Sequence, residues 1–150
     1  MELRVPPVVV MTIAAGLMGL GSTLLPTLAM VVPGQSVVTS LLVATGVFFG
    51  LAGVVTFRRA TTTVDPTRPD SASTLVTNGI YRTTRNPMYL GMLLILLGWA
   101  VWLAHPFSFL LLPLFVVYMN RFQIKPEERA LRAKFGEAFN AYARAVRRWL

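Results

Sequence analysis

Residues 86–120 read NPMYLGMLLILLGWAVWLAHPFSFLLLPLFVVYMN, without one Asp, Glu, Lys or Arg. A hydrocarbon-spanning helix needs about 20 mostly apolar residues, so this run is too long for one span. His105-Pro106 divides it near its middle, and the reading is a tight hairpin of two antiparallel helices. A second uncharged window covers residues 5–57 and is interrupted at Pro33-Gly34-Gln35-Ser36, which makes room for two more spans. The expected spans are residues 7–30, 37–57, 88–104 and 107–122. Residues 58–87 form a cytoplasmic loop. The fold class is an all-α integral membrane protein, with four transmembrane helices and a C-terminal cytoplasmic amphipathic helix in one domain, residues 1–150.

Composition supports a lipid-facing exterior. Of the 150 residues 55% are hydrophobic and 13% charged, too little polar surface for a water-soluble globule. The net charge of +8 does not point to nucleic acid, because the basic residues fall in blocks between apolar runs rather than over one folded face. The chain has no cysteine, which excludes disulfides, thiolate metal sites and a cysteine nucleophile. No His/Asp/Glu spacing of a metal centre is present either. The apolar run after Arg4 exceeds a signal-peptide core and a second span follows it, so a retained helix is expected.

Charge placement gives the orientation. Arg58, Arg59, Arg68, Arg82 and Arg85 lie between the second and third spans, and Arg121, Lys125, Arg129, Arg132, Lys134, Arg144, Arg147 and Arg148 lie at or beyond the end of the fourth. The other two connections carry no Lys or Arg. The positive-inside rule then puts both termini and the 58–87 loop in the cytoplasm of a bacterial inner membrane. That loop, polar and long, reads as an irregular connection or a re-entrant lid, and such loops are usually functional.

Beyond the fourth span the pattern becomes amphipathic. Pro126 suits a first helical position, and Glu127 and Glu128 suit the first turn. Leu131, Phe135, Phe139, Tyr142, Val146 and Trp149 then recur every three or four residues, one stripe of a helix over 126–149 that Gly136 weakens or bends. Arg132, Arg144, Arg147 and Arg148 are placed to reach lipid phosphates. Trp99, Trp102 and Trp149 read as interfacial anchors, and His105 as a loop residue on the far side. Ala15 with Gly19, and Gly46 with Gly50 and Gly53, would let the first two helices approach closely.

Two polar clusters stand at the ends of the hairpin: Gly79-Ile80-Tyr81-Arg82-Thr83-Thr84-Arg85-Asn86-Pro87-Met88-Tyr89 and Lys125-Pro126-Glu127-Glu128-Arg129. Antiparallel spans of similar length return the chain to the side it left, so Arg85, Asn86 and Tyr89 should meet Glu127 and Glu128 at the cytoplasmic face. Such a pocket offers a guanidinium for a carboxylate, a carboxylate for a diol or an ammonium, and aromatic faces for a cation. It suits a zwitterionic ligand bearing a sulfonium.

The order Arg-x-Pro-x-Tyr, hydrophobic hairpin, Glu-Glu, then Phe-Gly with spaced aromatics and a terminal Arg-Trp resembles the isoprenylcysteine carboxyl methyltransferase and phospholipid methyltransferase superfamily. The resemblance covers residues 74–149. It implies S-adenosylmethionine as methyl donor, with S-adenosylhomocysteine as product, under a cytoplasmic cap, and a lipophilic acceptor or membrane lipid entering from the bilayer. Asn86 stands where eukaryotic carboxyl methyltransferases carry histidine; the Arg-Asn-Pro form resembles a bacterial variant. The candidate cofactor-binding residues are Tyr81, Arg82, Arg85, Asn86, Pro87, Tyr89, Glu127 and Glu128, and the candidate catalytic residues are Arg85 and Glu128. Arg85 or Arg82 would pair with the donor carboxylate, Glu127 or Glu128 with the ribose hydroxyls, and Tyr81 and Tyr89 would line the adenine or the sulfonium. An amine acceptor would need one of the two glutamates to take its proton.

The competing class is a non-enzymatic membrane subunit or a small exporter. Exporters of this size need an ionisable residue within a span to couple protons, and the spans contain no acidic residue.

Overall fold

The computed structural model describes Leu3, residues 5–60 and residues 74–150. The described residues are helical with no strand. Six α-helices follow in order: α1 (Pro7–Leu24), α2 (Gln35–Arg59), α3 (Pro87–Leu103), α4 (Pro106–Met119), α5 (Lys125–Phe135) and α6 (Glu137–Ala145). Residues 61–73, within the loop expected as a connection or lid, lie outside the described residues.

Proline and left-handed residues set the boundaries. Pro7, Pro87 and Pro106 each open a helix where a missing N–H costs nothing. The first helix stops at Leu24 rather than running to residue 30 as expected, because Pro26 disfavours helical backbone at Leu25, whose φ is −126°. Gly34, at φ +66°, turns the chain into α2, and Ala104, at φ 46°, closes α3 before Pro106 reverses the direction.

The fourth span does not end before a separate helix at Pro126. It continues through a π turn at Asn120–Ile124 into α5, giving one helical run over Pro106–Phe135. Pro126 cannot donate a hydrogen bond, and in an α-helix its partner would be the Phe122 carbonyl. That carbonyl accepts the backbone N–H of Leu3 instead, at 3.0 Å. Gln123, fully buried, donates to the Val5 carbonyl, so the N-terminal segment is stitched to the irregular turn. The helix expected over 126–149 is in turn divided: Gly136, at φ 53°, separates α5 from α6, and the chain leaves helical geometry at Val146.

Among the described residues three helical runs are long and apolar enough to cross a membrane, namely Pro7–Leu24, Gln35–Arg59 and Pro106–Phe135. The apolar α3 is shorter, with 17 residues, a rise of about 26 Å against a hydrocarbon core of about 30 Å. The third run would rise about 45 Å, so its polar part from Lys125 extends beyond the hydrocarbon. Large hydrophobics of α1 and α2 such as Leu20, Leu24, Leu41 and Leu51 are more than half exposed, as lipid contact requires. This is a multi-pass membrane protein.

Glycine brings helices together, but the pairing differs from the expected one. The glycine face of α2 meets α3, not α1. A Cβ on Gly91 would stand 2.5 Å from the Gly46 carbonyl oxygen and 2.9 Å from the Gly50 nitrogen. One on Gly46 would stand 2.7 Å from the Gly91 oxygen. Backbone thus touches backbone, and Thr39 Oγ1 donates to the Gly98 carbonyl along the same seam. Helix α1 lies against α3 and α4, where Met18, Leu96, Phe115 and Met119 form the buried core.

The two ends of the bundle differ. At one, the Met30 N–H donates to the Ala104 carbonyl at 2.7 Å, and His105 Nε2 lies 2.9 Å from the Leu25 carbonyl. His105 is buried, so it clamps the connections together rather than sitting in an open loop. At the other end α2 finishes with Arg58 and Arg59, beside the turn at Gly79–Arg82.

Candidate functional site

The hairpin of α3 and α4 returns the chain to the Arg58–Arg59 end, and there the two polar clusters meet. Arg85 Nη2 donates to Glu128 Oε1 at 2.9 Å. Arg148 approaches the same carboxylate from the other side, with Nε 3.0 Å from Oε1 and Nη2 2.7 Å from Oε2. The Glu128 carboxylate is therefore held between two guanidiniums, and this bonding raises the Arg148 pKa above its ordinary value. Arg148 does not project toward lipid phosphates. Its head is spent inside the protein.

The last residues form a second clasp. The Arg85 N–H donates to the Arg147 carbonyl at 3.0 Å, and Arg85 Nη1 donates to the Ala143 carbonyl at 2.8 Å. Asn86 Nδ2 and the buried Thr84 hydroxyl both donate to the Arg148 carbonyl, at 2.8 and 3.2 Å. The backbone is extended at Val146, beyond the end of α6, and the Arg147 and Arg148 carbonyls that follow it reach residues 84–86. Trp149, read from sequence as an interfacial anchor, packs on the core and donates to Asn120 Oδ1 at 3.2 Å.

Glu127 is placed differently from its neighbour. It receives the Tyr89 hydroxyl on Oε2 at 3.2 Å, and among the described residues no cation pairs with it. Burial pushes its carboxyl up to about 7 from an ordinary 4.5; the Tyr89 hydrogen bond works against that rise and the adjacent Glu128 adds to it. Over that interval the folded chain binds more protons than the unfolded chain, so stability falls as pH rises from about 4.5 to about 7. The expected loss is on the order of 3 kcal/mol. Thermal melts at about pH 5 and about pH 8 should show it, and Glu127→Gln should remove the slope.

A cavity opens between these groups, lined by Phe57, Tyr81, Arg85, Asn86, Glu127 and Tyr142 among others. Its walls are aromatic: the Phe57 and Tyr81 rings meet edge-on with centroids 5.1 Å apart, and Tyr142 donates to the Tyr81 carbonyl at 2.8 Å. The Tyr81 hydroxyl and Arg85 Nε are buried without a hydrogen-bond partner among the described residues. Burial, with the negative Glu127 nearby, raises the Tyr81 pKa and keeps that hydroxyl a donor. The enclosed space is about 70 Å³, below the roughly 300 Å³ of a small ligand site.

Met88 and Tyr89 also border a second space, an apolar groove of about 510 Å³ between the start of α1, α2 and α3. Among the described residues of its lining, Tyr89 carries the one polar side chain.

Of the residues expected at the site, Tyr81, Arg85, Asn86, Tyr89, Glu127 and Glu128 line the cavity together. Arg82 is exposed and absent from the lining, and Pro87 is buried behind it. Sequence reasoning missed Phe57, Tyr142 and Phe139 as walls and Arg148 as the second partner of Glu128. Phe139 and Tyr142 belong to the apolar stripe of 126–149, whose periodicity does not say what it packs against.

The family model for phospholipid methyltransferases matches residues 35–138. The chain belongs to this family. It is 46% identical over 63 residues to an uncharacterized protein of Haemophilus influenzae, covering 42% of this chain and all of that one. It is 34% identical over 93 residues to probable protein-S-isoprenylcysteine O-methyltransferases of Oryza sativa, subspecies indica and japonica. Those matches cover 62% of this chain and 49% of each rice protein, so the chain spans about half the length of these relatives. No solved structure matches. The match spans α2, the hairpin and the Glu127–Glu128 pair, while the cavity walls Phe139 and Tyr142 lie beyond it.

Proposed function

We propose that the protein transfers a methyl group from S-adenosylmethionine to a lipophilic acceptor at the cytoplasmic face of a bacterial inner membrane, with both termini in the cytoplasm. One observation carries the reading: an aromatic-walled cavity holding Arg85, Glu127 and Glu128 and an apolar groove share Met88 and Tyr89. A water-soluble donor and a membrane-borne acceptor could thus approach from opposite sides of one wall.

The residues present fit the donor. It would bring a methyl group on a positively charged sulfur. Tyr81, Tyr142 and Phe57 offer ring faces to a cation, and Glu127 offers a carboxylate not neutralised by an arginine. Tyr81 Oη and Arg85 Nε are buried donors awaiting acceptors. Glu128 and Arg148 act as positioning residues that hold Arg85 and the 84–86 turn, while Asn86 and Pro87 set the start of α3. Methyl transfer by in-line displacement depends on alignment and exclusion of water more than on acid–base groups, which the enclosed walls provide. The small free volume means that the walls part on binding. Hydrogen exchange at 74–76 and in α6 is expected to change when S-adenosylhomocysteine is added, and unchanged exchange would count against a rearrangement of these walls on binding.

Family membership disfavours the subunit and exporter readings. The direct test is isotopic: cells producing the protein, fed a labelled methyl donor, should accumulate a labelled lipid-extractable species that cells producing Arg85→Ala lack. Identical label patterns in the two would overturn the proposal.

A further inference from the structure

The two glutamates at the start of α5 are adjacent in sequence and opposite in circumstance. Glu128 has both oxygens committed to Arg85 and Arg148. Glu127 has one hydroxyl, that of Tyr89, on Oε2. Both residues line the cavity, and Tyr89 borders the apolar groove as well. Tyr89 lines that groove beside Val54, Met92 and Ile95, and among the described lining residues it is the one with a side-chain hydroxyl.

We infer that Tyr89 and Glu127 form a proton relay for the methyl acceptor, and that this acceptor is a lipophile whose attacking atom carries a proton, an amine or a thiol rather than a carboxylate. The inference rests on the methyltransferase reading above. With the hydrocarbon part in the groove, the attacking nitrogen or sulfur reaches the shared wall at Tyr89. The acceptor binds as an ammonium or a thiol, and its N–H or S–H proton passes to Tyr89 Oη as the Tyr89 proton passes to Glu127 Oε2. The freed lone pair then forms the new bond to the methyl carbon, and the electron pair of the breaking S–CH₃ bond returns to the donor sulfur. Charge balances: the acceptor loses one proton, Glu127 gains it, and the sulfonium becomes a neutral thioether.

The surroundings suit that exchange. Facing Glu127 are Tyr81 from the 79–82 turn, Tyr89 from α3, Glu128 on α5 and, around Glu128, Arg85 and Arg148; Tyr142 of α6 closes the wall. The arginines are held by Glu128, so they do not fix Glu127 in its charged form. A carboxyl lifted to about 7 lies where a general base works well at neutral pH. A nearby sulfonium would favour its ionised form before transfer, and loss of that charge on transfer would favour the protonated form.

The test uses the purified full chain in lipid nanodiscs with labelled S-adenosylmethionine and three probes of equal chain length: dodecylamine, dodecanethiol and dodecanoate. Methylation of the amine or the thiol, but not of dodecanoate, is expected. Tyr89→Phe keeps the ring and, at saturating S-adenosylmethionine, should lower kcat by about 100-fold or more, the usual range for a lost acid–base group. A readout independent of turnover is the binding of dodecylamine with S-adenosylhomocysteine present: its affinity should rise with pH through about 7, and that rise should be absent in Glu127→Gln. Dodecanoate as the methylated probe, or Tyr89→Phe at wild-type kcat, would overturn the relay alone. A folded wild-type chain that binds no S-adenosylhomocysteine would overturn the methyltransferase reading and the relay together.

Discussion

Replacing Glu128 by alanine should abolish donor binding and destabilise the chain by about 3 kcal/mol, the lower end for breaking a buried ion pair. Its carboxylate and the Arg85 side chain are 15% and 13% exposed, so the loss would leave one guanidinium buried without its counter-charge and a second, that of Arg148, partly so. The clasp of residues 84–86 by the Arg147 and Arg148 carbonyls would loosen with it, and the cavity would lose its shape as well as a charge. Thermal melting in detergent measures the first effect and ligand titration the second. Glu137→Ala is the control, since Glu137 and Arg144 form an exposed pair of the kind that contributes little, and it should leave both unchanged.

Gly91→Val should be nearly as damaging for a different reason. The added Cβ meets backbone, the Gly46 oxygen at 2.5 Å and the Gly50 nitrogen at 2.9 Å, and backbone cannot rotate away as a side chain can. Helices α2 and α3 must separate, at a cost of about 3 kcal/mol by analogy with overpacked cores. The apolar groove, which both helices line, would widen and the shared wall at Tyr89 would shift. Circular dichroism melts should show the loss, whereas Gly16→Ala, where an added Cβ meets nothing within 4 Å, should melt like the wild type.

The meeting of Arg85 with Glu128 was legible in the sequence because run lengths are a strong signal in membrane proteins. Two uncharged stretches of similar length can only return the chain to its starting side, so residues over forty positions apart had to become neighbours. Side-chain identity then narrowed the pocket to a carboxylate pair beside arginines and tyrosines.

What escaped was set by backbone detail. Periodicity continued smoothly from Leu131 to Trp149, and nothing in it announced that the chain would leave the helix at Val146 and offer the Arg147 and Arg148 carbonyls to residues 84–86. Arg148 was therefore assigned to lipid. The π turn was hidden for the same reason: Pro126 looked like a helix start, and only the Leu3 N–H on the Phe122 carbonyl explains how one helix runs past it. The glycines of α2 announced a close approach without naming the partner, because the complementary residue, Gly91, lies on a helix further along the chain.

Isothermal titration of the folded, solubilised chain with S-adenosylhomocysteine tests the central claim most directly. Saturable one-site binding, lost in both Arg85→Ala and Glu128→Ala, is the predicted result. No heat of binding in a wild-type sample whose helical circular dichroism is intact would contradict it.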